Sequence, residues 1–256
     1  TPGGGTAAVY MEPVGPESGT TPITVEYVKG VERLCRKYGA LLVFDEVVTG
    51  FRIGMAGAQG YFGVSPDLTI FGKVIAGGYP GAGGIGGKRE YMKYLGAGLD
   101  SSGKKIHKAL VGGTMTANPL SCCAGYFTLE EIERTNACQK AGQMGDRICA
   151  GLKELVKKHG LPFVVWNTGS ICHLETVGTM HYQINWKKPW EIPAILGETG
   201  IRQKEMEHMG AAYMAEGLVT LAGSRLYTSA AYTPKMIDQA LACFDRVFEN
   251  VAVKAD

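Results

Sequence analysis

Two residues of opposite charge, each at the end of a short apolar run, are the first candidates for chemistry in this sequence. Asp45 closes "ALLVFD" (residues 40–45), and Lys73 closes "DLTIFGK" (residues 67–73). Both runs are typical of short buried strands, and Gly50 and Gly72 lie close to the two charges. A lysine at the buried end of a strand is costly to desolvate unless it is paired or used covalently, so its position favours a chemical role.

Three interpretations of the acidic strand end compete. A nucleotide triphosphatase uses Asp-Glu after an apolar strand, but it also needs the loop G-x-x-x-x-G-K-[ST]. The nearest match, residues 82–89, has Ala82 for the first glycine and Arg89 for the hydroxyl residue, so it fails at both ends. The second interpretation is pyridoxal phosphate chemistry, in which a carboxylate meets the pyridinium nitrogen and a lysine meets the aldehyde. The third is an acid that only caps the next turn.

The composition is that of a globular protein with one large or two modest domains. The chain has 256 residues and a formal net charge of +2, which predicts neither nucleic-acid nor membrane binding. Its seven cysteines are scattered without a C-x-x-C pair, which indicates reduced thiols, no zinc site and a cytoplasmic location. No apolar run has membrane-spanning length, and no signal-peptide pattern opens the chain.

The first part of the chain alternates between predicted strands and a helix. Strands are predicted at 7–13, 40–44 and 67–73. A helix is predicted between the first two strands, with Thr21 as its N-cap, Pro22 in its first turn and Gly39 at its end. This order predicts a parallel α/β sheet with ligands at the carboxyl ends of the strands.

From Asn118 onward the pattern changes to an α+β segment, and we place the domain boundary near residue 125. The predicted helices are 118–134, 137–158, 198–215 and 234–250, and the predicted strands are 162–166, 170–176 and 225–229.

Three motifs in order resemble the class III aminotransferases, which are fold type I pyridoxal-phosphate enzymes. They are "LLVFDEVVTGFR", "GAQGYFGVSPDLTIFGKVIAGGYPGAGGIGG" and "GGTMTANPL", and the wording is nearest to the glutamate-1-semialdehyde 2,1-aminomutase branch. The resemblance implies that residues 1–125 are the C-terminal part of the cofactor-binding large domain, with a mainly parallel sheet flanked by helices. Residues 126–256 are then the smaller α+β C-terminal domain.

The same resemblance assigns roles to single residues. It implies that Lys73 binds the aldehyde of pyridoxal 5'-phosphate and moves a proton, and that Asp45 pairs with the ring nitrogen. By the same resemblance, Val47 is expected to pack on one ring face. Thr114 is expected to reach the cofactor phosphate of a neighbouring subunit, which implies a homodimer with shared sites. Glu46 is expected to be structural, bonding nearby backbone or Arg52.

Two features depart from the family pattern. The loop after Glu12-Pro13 often carries an amide near the phenolic oxygen of the cofactor, whereas here Glu17 stands in that loop without one. The polar segment 98–108 lengthens the interval between Lys73 and Thr114. We interpret it as a flap at the dimer seam, with a plain solvated loop as the alternative.

Arg225 is the residue most informative about the substrate. Its spacing to Thr233 matches an arginine that many class III transaminases use to bind a substrate carboxylate, a task that suits the planar guanidinium. Ser224 stands where the aminomutase branch carries a glutamate. We therefore expect a transaminase that uses a carboxylate-bearing amine and a 2-oxo acid, with the aminomutase as the alternative.

The family's N-terminal part, with its phosphate-binding turn, has no counterpart in this sequence. We expect the chain to work beside that N-terminal half of the same enzyme. A non-catalytic dimerisation module is the remaining alternative, and the presence of Asp45, Lys73 and Thr114 together argues against it.

Overall fold

The computed structural model describes residues 5–14, 22–96, 98–99, 102–105, 107–176 and 187–251. They form two compact units that separate between Ala137 and Cys138. The boundary expected near residue 125 lies within a helix that spans Pro119–Thr135. Each unit contains its own sheet.

The first unit is built on a four-stranded sheet in the order β1-β2-β3-β4. Its first three strands are parallel and β4 is antiparallel to β3, so the predicted mainly parallel α/β architecture is confirmed. The strands are β1 (Ala8–Met11), β2 (Leu41–Asp45), β3 (Leu68–Phe71) and β4 (Gly84–Gly87). The helices are α1 (Val25–Tyr38), α2 (Gly57–Phe62), α3 (Arg89–Met92) and α4 (Pro119–Thr135).

Strand β2 is the buried centre of this sheet. Leu42 and Phe44 are fully buried, as expected for a strand of a parallel sheet that is covered on its faces. Burying two such side chains contributes about 1.5–3 kcal/mol each. Helix α1, which precedes β2, ends at Gly39 as predicted, with φ of 68°. Its N-cap is Thr24, whose hydroxyl accepts the Tyr27 amide, so the prediction that Thr21 caps this helix was wrong.

Asp67 joins β2 and β3 at the edge opposite to the candidate site. Its buried carboxylate accepts the Leu42 amide at 2.8 Å, an Arg36 nitrogen at 2.7 Å and the Lys88 ammonium at 2.6 Å. Burial works against the charge, but the bonds from Lys88, Leu42 and Arg36 outweigh it and lower the pKa of Asp67. Lys88 is the lysine of the imperfect phosphate-loop pattern, and it serves here in an ion pair.

The second unit is an α+β arrangement, as predicted. Its antiparallel sheet has the order β5-β6-β7, and helices pack on it around a core that includes Leu152, Leu174, Tyr213, Phe244 and Phe248. The strands are β5 (Val164–Thr168), β6 (Ile171–Glu175) and β7 (Arg225–Tyr227). The helices are α5 (Ala137–Lys158), α6 (Ile192–Ala215) and α7 (Pro234–Glu249). In the described parts of both units, no helix combines the length and apolar character needed to span a bilayer.

Candidate active site

The candidate site begins at Asp45, the last residue of β2. One oxygen of its half-buried carboxylate, Oδ1, accepts the Val47 amide at 2.9 Å. The other oxygen, Oδ2, accepts a hydrogen bond from the phenol of Tyr10 on β1. Two neutral donors from different segments therefore bind the two oxygens of this carboxylate.

Glu46, the residue after Asp45, is structural, because its carboxylate binds the backbone of helix α2. It is buried, its Oε2 accepts the Ala58 amide at 2.7 Å and the Thr49 hydroxyl at 3.0 Å, and its Oε1 lies 3.4 Å from the Gln59 amide. Ala58 and Gln59 are in the first turn of α2, where free amides and the helix dipole favour a negative charge. The expectation that Glu46 bonds nearby backbone is confirmed.

Strands β2 and β3 run parallel with Asp45 opposite Ile70, so their carboxyl ends meet at one edge of the sheet. Beyond that pairing, Gly72 lies against Val47: a β-carbon added at Gly72 would be 3.1 Å from Val47 Cγ1. Lys73 is the next residue. The fold thus brings Asp45, Val47 and Lys73 to the same edge of the sheet, at the carboxyl ends of β2 and β3.

Lys73 is not the last residue of a buried strand, as its sequence context suggested. Strand β3 stops at Phe71, and Lys73 opens a 3-10 turn, Lys73–Ala76, in which its side chain is exposed. The backbone of Lys73 has φ of 50°, a conformation that costs a non-glycine residue about 1–2 kcal/mol and that is often found at functional sites.

Helix α4 supports this strained turn. A β-carbon at Gly125 of α4 would lie 1.9 Å from the Ile75 carbonyl oxygen, so the helix backbone packs directly on the turn. A β-carbon at Gly77 would lie 2.5 Å from the carbonyl carbon of Ala124, in the same helix. The lysine is therefore carried by a turn that close backbone contact holds in place.

Of the remaining residues of the expected set, Thr114 lies in the first unit, and Ser224 and Arg225 lie in the second. Thr114 is exposed in the turn 114–117, which the Ala117 amide ties to the Gly81 carbonyl at 3.0 Å. Ser224 and Arg225 lie in the second unit, where Ser224 is buried and Arg225 is the half-buried first residue of β7. Glu17 lies outside the described residues.

The segment 98–108 is described in part. Its residues Leu99 and Lys105 form an isolated antiparallel bridge. The interpretation of this segment as a flap at a dimer seam stays a prediction.

The donor set at the sheet edge fits pyridoxal phosphate. The cofactor presents a ring nitrogen, two ring faces and an aldehyde, and the edge offers a carboxylate, an apolar side chain and an exposed amine. Among the described residues, Lys73 makes no ion pair or hydrogen bond through its side chain, so its amine can reach a ligand.

Comparison with known proteins decides the family. The family model described as "Aminotransferase class-III" matches residues 3–222 of this chain. The chain belongs to the class III aminotransferases. Pyridoxal 5'-phosphate is the cofactor that this membership indicates. The matched stretch contains Asp45, Val47, Lys73 and Thr114, whereas Arg225 comes after it.

Curated relatives of this class III aminotransferase chain are named as aminomutases. It is 36% identical over 255 residues to glutamate-1-semialdehyde 2,1-aminomutase 2 of Shouchella clausii, covering 97% of this chain and 53% of that protein. It is 41% identical over 165 residues to glutamate-1-semialdehyde 2,1-aminomutase 1 of Staphylococcus epidermidis, covering 64% of this chain and 36% of that protein. The chain thus spans about half the length, or less, of these relatives.

Solved structures show the same fold at lower identity. An omega-transaminase from Sphaerobacter thermophilus matches with a TM-score of 0.74 and 24% identity, over 95% of this chain and 52% of that one. A beta-phenylalanine aminotransferase from Variovorax paradoxus matches with a TM-score of 0.75 and 22% identity, over the same shares.

Tyr10 is the site residue that sequence reasoning missed. It stands on β1 opposite Val43 of β2. Asp45 lies two residues after Val43, so its side chain is on the same face of the sheet. Only the register of the parallel pair reveals that its phenol can reach Asp45, although the two residues are 35 positions apart.

Proposed function

We propose that this chain forms the lysine-bearing part of a pyridoxal-phosphate-dependent aminotransferase. The enzyme moves an amino group between a carboxylate-bearing amine, such as an amino acid, and a 2-oxo acid. One observation carries the proposal: Asp45 ends β2, Lys73 comes two residues after the adjacent parallel strand β3, and Gly72 lies against Val47. A bound pyridoxal phosphate supplies an electron-accepting ring for the substrate carbanion.

The chain's own residues divide the remaining work. Asp45 binds the protonated ring nitrogen, and Val47 packs on the ring. The Lys73 amine would hold the cofactor aldehyde, and once substrate has displaced it the same amine would accept a proton from the substrate carbon and deliver it to the cofactor carbon that was the aldehyde. The exposed position of Lys73 and its support by α4 leave the amine free to move while its backbone stays fixed.

Arg225 is proposed to bind the substrate carboxylate. A guanidinium binds a carboxylate through two parallel hydrogen bonds, which orients the substrate as well as attracting it. Ser224 is proposed to lie beside it in the substrate site.

The remainder of the site is proposed to come from two sources. One is the N-terminal half of the same enzyme, in line with the chain's coverage of about half of its relatives. The other is a second subunit of a homodimer, in which Thr114 reaches the partner's cofactor phosphate. Each experiment uses the complete enzyme, meaning this chain together with that N-terminal part.

A second candidate is a glutamate-1-semialdehyde 2,1-aminomutase. It is favoured by the names of the curated relatives that are 34–41% identical to this chain. Ser224 in place of the branch's usual glutamate favours the transaminase instead.

A donor screen on the complete enzyme separates the two candidates. α-Amino acids, β-amino acids, ω-amines and glutamate-1-semialdehyde are each tested with and without 2-oxoglutarate or pyruvate. Turnover that depends on the added 2-oxo acid supports the transaminase, because it needs a second substrate to accept the amino group. Turnover of the semialdehyde alone supports the aminomutase, and no turnover of any donor contradicts both.

A further inference from the structure

The contact between Tyr10 and Asp45 gives Tyr10 a role in the candidate site. We propose that Tyr10 is a positioning residue: its phenol donates a hydrogen bond to Asp45 Oδ2 and holds the carboxylate in the orientation that receives the cofactor's ring nitrogen. The inference rests on the proposed function, because it requires that Asp45 bind that nitrogen.

The register of β1 and β2 brings the phenol to the carboxylate. Tyr10 pairs with Val43, and Asp45 lies one side-chain repeat further along β2 on the same face. The tyrosine side chain therefore extends along the sheet toward its carboxyl edge and ends at Asp45.

Two donors fix the carboxylate more firmly than one. The torsion that rotates a carboxylate about its last bond is broad, so the Val47 amide on Oδ1 alone leaves the group free to turn. The Tyr10 phenol on Oδ2 restricts that rotation. Each carboxylate oxygen can accept more than one hydrogen bond, so a ring nitrogen can still be bound.

The phenol stays a donor throughout the neutral pH range. The hydrogen bond to Asp45, then burial, then the negative charges of Asp45 on β2 and of Glu12, which directly follows β1, raise the pKa of Tyr10 above its ordinary value. Tyr10 is nevertheless 58% exposed in this chain, so burial alone does not explain why a tyrosine stands here.

The test compares Tyr10→Phe with Tyr27→Phe in the complete enzyme. Tyr27 lies on α1, is 60% exposed, and supplies a matched loss of one hydroxyl away from the site. Tyr10→Phe is expected to weaken pyridoxal phosphate binding about threefold to tenfold, the effect of losing one hydrogen bond of ordinary net strength, because the phenol acts on the cofactor only through Asp45. Tyr27→Phe is expected to bind the cofactor like the unaltered enzyme.

Two further readouts separate positioning from a general structural effect. In Tyr10→Phe, the pH dependence of the visible absorbance of the bound cofactor is expected to shift, and kcat to fall while KM for the amine stays unchanged. In the absence of added cofactor, the urea unfolding midpoint of Tyr10→Phe is expected to match that of Tyr27→Phe. Unchanged cofactor affinity together with an unshifted pH profile in Tyr10→Phe would overturn the proposal.

A double-mutant cycle with Asp45→Asn keeps the test decisive. If Tyr10 acts through Asp45, the losses of cofactor affinity in the two single variants are not additive in the double variant. Additive losses would refute the proposed path through Asp45. Unaltered cofactor binding by Asp45→Asn itself would instead refute the proposed function, so the two failures are distinguishable.

Discussion

Gly57 offers the sharpest test of how the candidate site is anchored. It has φ of 55°, and a β-carbon placed there would lie 2.1 Å from Glu46 Oε2. Gly57→Ala must therefore displace the buried carboxylate that accepts the Ala58 amide at 2.7 Å. Because Glu46 is adjacent to Asp45, displacing its carboxylate is expected to disturb the end of β2 as well as the start of α2.

The expected cost has two parts. Alanine in the left-handed region costs about 1–2 kcal/mol. Losing one hydrogen bond to the buried Glu46 carboxylate costs about 1.5–3 kcal/mol more. Gly63→Ala is a matched control, because Gly63 has φ of 62° at the other end of α2 and no atom lies within 4 Å of its added β-carbon. Gly63→Ala is expected to lower the free energy of unfolding only through backbone strain.

Urea unfolding of the complete enzyme and of both variants measures this difference. Gly57→Ala is expected to be less stable than Gly63→Ala by about 1.5–3 kcal/mol, and to bind pyridoxal phosphate more weakly. Equal unfolding midpoints for the two variants would refute the inference that Glu46 fixes the start of α2 and the end of β2.

The other predictions concern the substrate and the opposite edge of the sheet. Arg225→Ala is expected to raise KM for carboxylate-bearing substrates roughly tenfold to a hundredfold, while KM for simple amines changes little. Steady-state kinetics with both substrate classes measures this difference. An unchanged preference for carboxylate-bearing substrates would remove Arg225 from the substrate site. The lowered pKa of Asp67 means that its stabilisation is fully present above its ordinary value of 3.8 and is lost as pH falls through the lowered value. Acid unfolding of Asp67→Asn, which cannot lose that charge, is expected to show a smaller drop in stability over this range, and an identical drop would contradict the assignment.

The long elements could be read from the sequence because their signals are local. Helix α1 has an apolar stripe and a terminal glycine, and β2 is a continuous apolar run, so both were found to within a few residues. Strand β4, with the sequence "GIGG", and helix α2, which contains two glycines, carry no such pattern. They form because β3 and Glu46 supply partners from elsewhere in the chain.

The candidate site, too, could be predicted from the sequence only where the signals are local. Asp45, Val47 and Lys73 stand in recognisable motifs, and the parallel pairing of β2 and β3 places them at one edge. The exposure of Lys73 was not foreseen, because it depends on the chain leaving the sheet at Gly72. The role of Tyr10 was not foreseen either, because it depends on the register between two strands.

Covalent labelling tests whether Lys73 is the residue that binds the cofactor aldehyde. The complete enzyme is loaded with pyridoxal 5'-phosphate, reduced with borohydride and digested, and the modified peptide is located by mass spectrometry. The visible cofactor absorbance is expected to disappear on reduction, the label is expected on Lys73, and Lys73→Ala is expected to carry none. A label on another lysine, or a Lys73→Ala variant that is labelled like the unaltered enzyme, would contradict it.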